Sequence, residues 1–316
     1  MSVLAQLRLP PIAADVLHGL RRTPKSLPPY LFYDAAGSAL FEQITHLAEY
    51  YLTRTELLIL RDSADAIAAS LPAIRSVVEL GAGSAPKTGV LLQALRSRTP
   101  ELTYIPVDIS PTALQGAADR MLKTLANFRV RPSVRDYTSQ PLPSARSPRL
   151  VLYLGSSIGN FDPPDAARLL RRIAGQLGPG GALLLGTDLR KSSSILLPAY
   201  DDAQGVTARF NLNLLARLNR ELGADFDSSS FRHVAIWNNE ESRMEMHLES
   251  RRDQLVRFRQ LDAIVRFRRG ERLHTENSYK YSEPMLADLF AAAGLQCART
   301  WTDPQHWFAV HLLRAA

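Results

Sequence analysis

The apolar run Val77-Val78-Glu79-Leu80 breaks at Gly81-Ala82-Gly83, and a helix-forming stretch restarts at Pro86. A strand that stops at a glycine turn and continues as a helix is the opening unit of a parallel α/β sheet, which narrows the fold more than any other feature of the chain. Gly81 and Gly83 let the backbone approach a ligand where a Cβ would collide. The next apolar run ends at Asp108, where a carboxylate can accept both ribose hydroxyls of a nucleoside. A dinucleotide loop wants a third glycine where this chain has Pro86, so a pyrophosphate fits poorly and S-adenosylmethionine (SAM) is the better cofactor candidate.

The pattern around this turn predicts a doubly wound α/β sheet over about residues 53–187. Helices are expected at 56–70, 86–96, 111–126 and 165–177, and strands at 76–80, 102–108, 130–134, 149–154 and 182–187. The carboxyl ends of the first four strands then carry Gly81 and Gly83, Asp108, Asp136 and Asn160, and open parallel sheets bind ligands at such ends. Beyond Asp188 the pattern changes to one long helical region, 189–221, and then to alternating strands over 231–281, which reads as an insertion. A helix at 283–293 with Gly294 as its C-cap, and strands at 296–302 and 307–312, resume the sheet.

With 316 residues, 46% of them hydrophobic, the chain can bury a large core. No apolar run approaches a membrane span and the first residues lack a signal architecture, so the cytosol is the expected location. Cys297 is the single cysteine, which excludes an internal disulfide framework, and the seven histidines show no metal-ligand spacing. The net charge of +7 raises a nucleic-acid partner, but Arg257-Phe258-Arg259 and Val265-Arg266-Phe267-Arg268 alternate as strands with one solvated face, and no nucleic-acid signature is present.

Five segments converge: Tyr33-Asp34-Ala35-Ala36-Gly37-Ser38-Ala39-Leu40-Phe41, Glu49-Tyr50-Tyr51-Leu52-Thr53-Arg54-Thr55-Glu56, the stretch from Gly155 to Phe161, Ala199-Tyr200-Asp201-Asp202 and Thr275-Glu276-Asn277-Ser278. In this order and spacing the chain resembles the histidine-specific N-alpha-methyltransferases of ergothioneine biosynthesis, over about residues 31–308. It departs from them at Leu52, where the family usually has proline, and at Asn277 and Tyr279. The resemblance implies a Rossmann-like class I SAM methyltransferase sheet from residues 54–188 and 282–316, with a second α+β substrate-binding domain from 1–53 and 189–281. It implies SAM contacts at Tyr33, Gly81, Lys87, Asp108, Asp136 and Tyr137, to which the glycine turn adds Gly83. It implies L-histidine contacts at Tyr50, Asn160, Tyr200, Met246, Glu276 and Ser278, with Tyr33 and Asn160 positioning the reacting amine. A monomer acting on a small molecule, without metal, nucleic acid or membrane, is expected.

The residue types suit that assignment. Asp136 beside Tyr137 offers an acceptor for an adenine amino group next to an aromatic wall, and Lys87 at a helix start suits the methionine carboxylate. Two phenols, Tyr50 and Tyr200, with the Asn160 amide can bind an α-carboxylate without a cation, which matters because a trimethylammonium product would be repelled by one. Glu276 can accept an imidazole N–H while the Ser278 hydroxyl serves the other ring nitrogen. Taken singly, these residues have ordinary readings: the tyrosines and Met246 as packing, Glu276 and Asp201-Asp202 as solvated, Ser156-Ser157 and Asn160 as turn residues. Two other functions compete: N-methylation of another amino acid or an indole derivative such as tryptophan, for which a neutral residue in place of Glu276 is expected, and a SAM-binding regulator without turnover.

Overall fold

The computed structural model describes residues 12–82, 88–124 and 128–316. In chain order the elements are α1 (Ala13–Arg21), α2 (Ala35–Thr45), α3 (Tyr51–Ala69), β1 (Ser76–Leu80), α4 (Thr88–Arg98), β2 (Thr103–Asp108), α5 (Pro111–Thr124), β3 (Arg129–Val130), β4 (Ser133–Val134), β5 (Arg149–Tyr153), α6 (Pro163–Ala174) and β6 (Ala182–Asp188). They continue as α7 (Ser193–Tyr200), α8 (Val206–Leu222), β7 (Phe231–Asn238), β8 (Arg243–Ser250), β9 (Gln254–Phe258), β10 (Ala263–Phe267), β11 (Arg272–Tyr279), α9 (Glu283–Ala293), β12 (Leu295–Thr302) and β13 (Phe308–Ala315). Two compact units result. A sheet unit comprises 50–193, 239–243 and 278–316, and an insertion unit runs up to residue 49 and takes in 194–238 and 244–277.

The sheet unit is built on the strand order β12-β13-β6-β5-β1-β2-β3, with β4 also pairing with β2. β1 runs parallel to both β2 and β5, and β5 parallel to β6, while β13 is antiparallel to β6 and β12. β1 is buried along its whole length, as a central parallel strand covered on both faces must be. The chain leaves β1 towards β2 and β3, then returns to β5 on the other side of β1. Strand order therefore reverses at β1, and the carboxyl ends of β1, β2 and β5 meet at a topological switch point. Helix α6 shows how one face is covered: Ala166, Leu169, Leu170 and Ile173 fall at helical spacing and join Val78, Val151, Leu183 and Phe290 in one core.

The doubly wound expectation holds, with four local corrections. The single strand at 130–134 is two short ones: Arg131 makes the last ladder bond of the first, to the Tyr104 carbonyl at 2.9 Å, and Pro132 has no N–H to continue it. The helix expected from residue 56 starts at Tyr51, and Leu52, the departure from the resemblance, is buried in its first turn, a position that proline also tolerates. The long helical region at 189–221 is interrupted between α7 and α8 by Gly205 at φ +66, and Asp202 is no solvated start: buried, it accepts the Val206 and Thr207 amides at 2.9 and 2.7 Å. The strand expected to run past 258 ends at Phe258 and gives way to a short 3-10 turn.

The insertion unit contains the three-stranded sheet β11-β8-β7 for most of its length and the hairpin β9-β10. On the hairpin Val256, Phe258, Val265 and Phe267 are buried while Arg257 and Arg266 are exposed, which is the solvated-face pattern of the sequence. Phe226, Phe231, Phe258 and Phe267 pack edge to face at 5.3–6.0 Å between centroids. No described helix is long and apolar enough to cross a membrane.

Candidate active site

The cofactor corner of the sheet unit lies at the ends of β1 and β2. Gly81 turns at φ +63, and both its amide and that of Ala82 donate to the Val107 carbonyl, at 2.9 and 3.3 Å. A Cβ at Gly81 would meet nothing nearer than the Tyr137 hydroxyl at 3.6 Å, so the left-handed torsion, and not crowding by the protein, calls for glycine here. Asp108 ends β2 half-buried, with Oδ1 accepting the Ser110 amide at 2.9 Å. Burial pushes the Tyr137 phenol up to about 12, against a lowering hydrogen bond with Tyr153 and with help from the charges of Asp108 and Asp136. Those three side chains therefore share one corner.

Asp136 is more committed than the sequence suggests. Its carboxylate accepts the Thr138 amide and hydroxyl at 2.8 and 2.6 Å and the Ser139 hydroxyl at 2.6 Å, closing its own turn. Burial would raise this carboxyl, but the Ser139 and Thr138 bonds win and hold it below its ordinary range. Gly83 and Lys87, expected to complete the loop, lie outside the described residues. What is described fits SAM: a carboxylate for the ribose, a ring wall beside it and a backbone turn in front.

On the far side of β1, the segment after β5 carries Asn160 on a 3-10 turn, Ser157–Asn160, entered through Ser156 in the left-handed region at φ +57. Non-glycine residues occupy that region only where the surroundings hold them. Here the Asp188 amide donates to Ser156 Oγ at 2.8 Å, and the Gly155 amide donates to the buried Glu56 carboxylate at 2.8 Å. A Cβ at Gly159 would crowd the Tyr279 backbone, at 3.0 and 3.1 Å, so glycine lets the Asn160 turn lie against the segment that carries Ser278. The structure thus brings Asn160 and Ser278 into one neighbourhood, with Tyr50 also in this unit, half-buried and immediately before α3.

A buried ionic cluster that sequence reasoning missed underlies this neighbourhood. Asp188, fully buried at the end of β6, accepts Tyr51 Oη at 2.7 Å and pairs with Lys191 Nζ at 2.5 Å and Lys280 Nζ at 2.8 Å. Lys280 Nζ also donates to Ser278 Oγ at 2.8 Å. Burial lowers Lys191 to about 8, opposed by Asp188 and reinforced by Lys280. In the sequence Asp188 merely ends an apolar strand; of its partners only Lys191 is near, while Tyr51 lies 137 positions before it and Lys280 far beyond it. The adjacency of two polar ends to apolar runs was the one available signal.

In the insertion unit, Tyr33 is half-buried before α2, 5.7 Å from Phe41 and 5.9 Å from Phe210 between ring centroids. Its neighbour Asp34 caps α2 through the Gly37 amide at 2.7 Å and binds Asn213 at 2.8 Å and Arg220 at 2.6 Å. Burial would raise the Asp34 carboxyl, but those partners, Gly37 first, hold it below its usual range. Tyr200 is buried at the end of α7, where its carbonyl meets His233 Nε2 at 2.7 Å; His233 Nδ1 lies 2.8 Å from the Asn211 amide, so the ring donates to Tyr200 and accepts from Asn211. Met246 is buried on β8, and its carbonyl accepts the Thr275 hydroxyl at 2.9 Å, one residue before Glu276 on β11. Glu276 is buried, 8% exposed, and not the solvated strand carboxylate of the ordinary reading. Ser278 follows at the same-face spacing, 4% exposed.

A doubly wound sheet closed by the antiparallel β13, with a glycine turn and an acidic strand end at its switch point, defines a Rossmann-like class I SAM-dependent methyltransferase. The family model for "Histidine-specific methyltransferase, SAM-dependent" matches residues 12–315, and the chain belongs to this family. It is 44% identical over 299 residues to a histidine N-alpha-methyltransferase of Mycobacterium tuberculosis, covering 94% of this chain and 93% of that protein. It is 46% identical over 301 residues to the protein of the same name from Mycolicibacterium smegmatis, again covering 94% and 93%. Against ergothioneine biosynthesis protein 1 of Neurospora crassa it is 32% identical over 298 residues, 92% of this chain and 33% of that one.

Proposed function

We propose that this enzyme transfers three methyl groups, one after another, from SAM to the α-amino nitrogen of L-histidine, giving hercynine (histidine betaine), the first step of ergothioneine biosynthesis. The observation that carries the acceptor assignment is the buried pair on β11: a carboxylate at Glu276 and, at same-face spacing, a hydroxyl at Ser278. An imidazole is the common side chain with a nitrogen at each of two edges for such a pair. Such a pair is selective because an acceptor that lacks the matching ring groups forgoes the bonds an imidazole would make to it.

The sheet unit is assigned the cofactor, with Asp108 on the ribose, Asp136 and Tyr137 at the adenine, Gly81 and Gly83 at the backbone approach and Lys87 on the methionine carboxylate. Of the residues assigned to the acceptor, Tyr200, Met246 and Glu276 belong to the insertion unit and Tyr50, Asn160 and Ser278 to the sheet unit. SAM supplies an electrophilic methyl on a sulfonium. The chain's task is alignment: Tyr50, Tyr200 and Asn160 bind the α-carboxylate as neutral donors, and Asn160 with Tyr33 aims the amine lone pair. Met246 lines the ring. An α-amino group has a reference pKa of about 8, so a modest shift on binding frees its lone pair, and no strong general base is required. Orientation and removal of water then supply most of the acceleration. The enzyme acts as a cytosolic monomer on small molecules, without nucleic acid or membrane.

Incubation with labelled SAM and single amino acids tests this reading by mass spectrometry. Histidine and its mono- and dimethyl forms should give hercynine, while tryptophan, tyrosine and free imidazole should be poor acceptors. Comparable methylation of tryptophan would overturn the specificity.

A further inference from the structure

Of the stretch Glu49 to Glu56, the proposed reaction uses only Tyr50, yet the far end of the same stretch reaches the turn that carries Asn160. Glu56 lies in the second turn of α3 with no exposed surface, and its Oε1 accepts the Gly155 amide at 2.8 Å. A Cβ added at Gly186, on β6, would lie 2.2 Å from that same oxygen, so the missing side chain at Gly186 is the socket in which the carboxyl sits. Leu183, Leu184 and Leu185 precede that glycine, and a fourth apolar side chain would continue the strand. Two locally unfavourable choices, a glycine inside a strand and a carboxyl buried among apolar elements, thus meet at one atom. What that atom holds is the entry to the Asn160 turn. Gly155 and Ser156 follow one another in the left-handed region, at φ +78 and +57, and a bend of that kind persists only where its surroundings fix it. Glu56 fixes the first residue, and the Asp188 amide, bonded to Ser156 Oγ at 2.8 Å, fixes the second. Tyr51 Oη in turn grips the Asp188 carboxylate at 2.7 Å, so the first two turns of α3 secure both clamps. The Gly159 amide then donates to the Ser156 carbonyl at 2.9 Å and carries the bend on to Asn160.

We propose that Glu56 is a positioning residue for the methyl transfer: seated in the Gly186 socket, it fixes the Gly155-Ser156 bend and through it aims Asn160 at the reacting amine. This deepens the proposed function and rests on Asn160 contacting the acceptor. Glu56 acts through the backbone of the turn and touches no reacting atom. Gly81 and Asp108 stand at the ends of β1 and β2, so cofactor binding does not run through this clamp.

Glu56→Ala should lower the single-turnover rate at saturating histidine and SAM by about tenfold to a hundredfold, the effect of a misplaced partner, while SAM affinity by calorimetry stays within about twofold. Gly186→Ala should do the same, because its methyl group displaces Glu56 Oε1 from the Gly155 amide. Added to Glu56→Ala, where that oxygen is gone, it should lower the rate no further; the Phe308 ring, 3.1 Å from the added carbon, is the other neighbour, and the double variant reads its share. A full rate in folded Glu56→Ala or Gly186→Ala, or an equal loss from Gly186→Ala in both backgrounds, overturns the proposal. Asn160→Ala separates it from the reading beneath it. That variant alone should lose about tenfold or more, and Glu56→Ala added to it should lower the rate by less than about twofold. Full activity in Asn160→Ala would mean that the assignment of Asn160 has failed and the inference with it. An undiminished loss from Glu56→Ala in an already impaired Asn160→Ala protein would instead show that Glu56 acts on something other than Asn160, sinking the inference and leaving the acceptor reading in place. Should Glu56→Ala not fold, Gly186→Ala, which leaves the carboxyl in the chain, takes its place in this cycle.

Discussion

Gly81 and Gly37 have different reasons for being glycine. Gly81, in the sheet unit, has space for a Cβ and a torsion, φ +63, that side chains rarely adopt. Gly37, in the insertion unit, sits inside α2 with helical torsions, and a Cβ there would overlap the Phe32 carbonyl oxygen. The contrast extends to the residues around them. In the sheet unit, Gly81, Asp108 and Asn160 stand at strand ends, so the strand order and a few backbone torsions put them in place. In the insertion unit, Tyr33 and Tyr200 are placed by side chains from distant segments: Asp34 held by Asn213 and Arg220, and the Tyr200 carbonyl held by His233 and Asn211. A site assembled on strand ends tolerates changes in sequence that keep the sheet. One assembled by clamps depends on each partner.

Acid should affect both units and produces the largest expected change. Burial holds His247, in the insertion unit, and His311, in the sheet unit, at about 4, below the ordinary value of 6.5. Because the folded pKa is depressed, the unfolded chain binds the extra proton first; the stability is complete above pH 6.5 and is lost as pH falls towards 4, with a ceiling on the order of 3 kcal/mol for each ring. Urea denaturation at pH 7.5 and pH 5 should show the loss, and His311→Gln and His247→Phe should each flatten it. A slope unchanged in either variant would remove that histidine as a cause.

Gly37→Ala should destabilise the protein by roughly 3 kcal/mol, because the obstruction is backbone and cannot swing aside. Gly81→Ala should lose only about 1–2 kcal/mol, the price of a left-handed alanine, while weakening SAM. Denaturation curves for the pair compare the two kinds of constraint directly, and equal losses would erase the distinction drawn between them.

Asp108→Ala should weaken SAM by roughly 1.5–3 kcal/mol through loss of a charge-assisted acceptor, with the fold intact. Calorimetry reads this, and unchanged affinity would move the cofactor away from the β2 end. Glu276→Gln should cost histidine binding roughly 1–3 kcal/mol and leave SAM nearly unaffected. Glu276→Ala should in addition shift the preference towards tryptophan, by opening space and removing a polar demand. The ratio of kcat/KM for histidine over tryptophan in the three proteins is the measurement; a constant ratio with falling activity would make Glu276 structural.

The cofactor half of the site was legible because its signals are local. A glycine after an apolar strand and a carboxylate ending the next strand are readable within a few residues, and the right order of strands follows from helices alternating between them. Asp136 shows the limit even there: its position at a strand end was readable, but its capture by Thr138 and Ser139 was not. The ordinary reading of Asp202 as a solvated helix start fails because its burial depends on what packs over it, which two consecutive aspartates before a helix do not reveal. Glu276 was legible as chemistry only through the resemblance, since a glutamate on an alternating strand carries no local sign of burial.

By itself the sequence determined the periodicity, the turns and the order of the elements, because hydrophobic spacing and glycine torsions act over a handful of residues. The tertiary structure alone decided the network of Asp188, Tyr51, Lys191 and Lys280, whose ammonium also reaches the Ser278 hydroxyl. Those groups are brought together from positions as far apart in the chain as Tyr51 and Lys280. A buried charge is tolerable only where every partner arrives at hydrogen-bond distance, and that condition is met by the packing of whole elements, which no short stretch of the chain encodes.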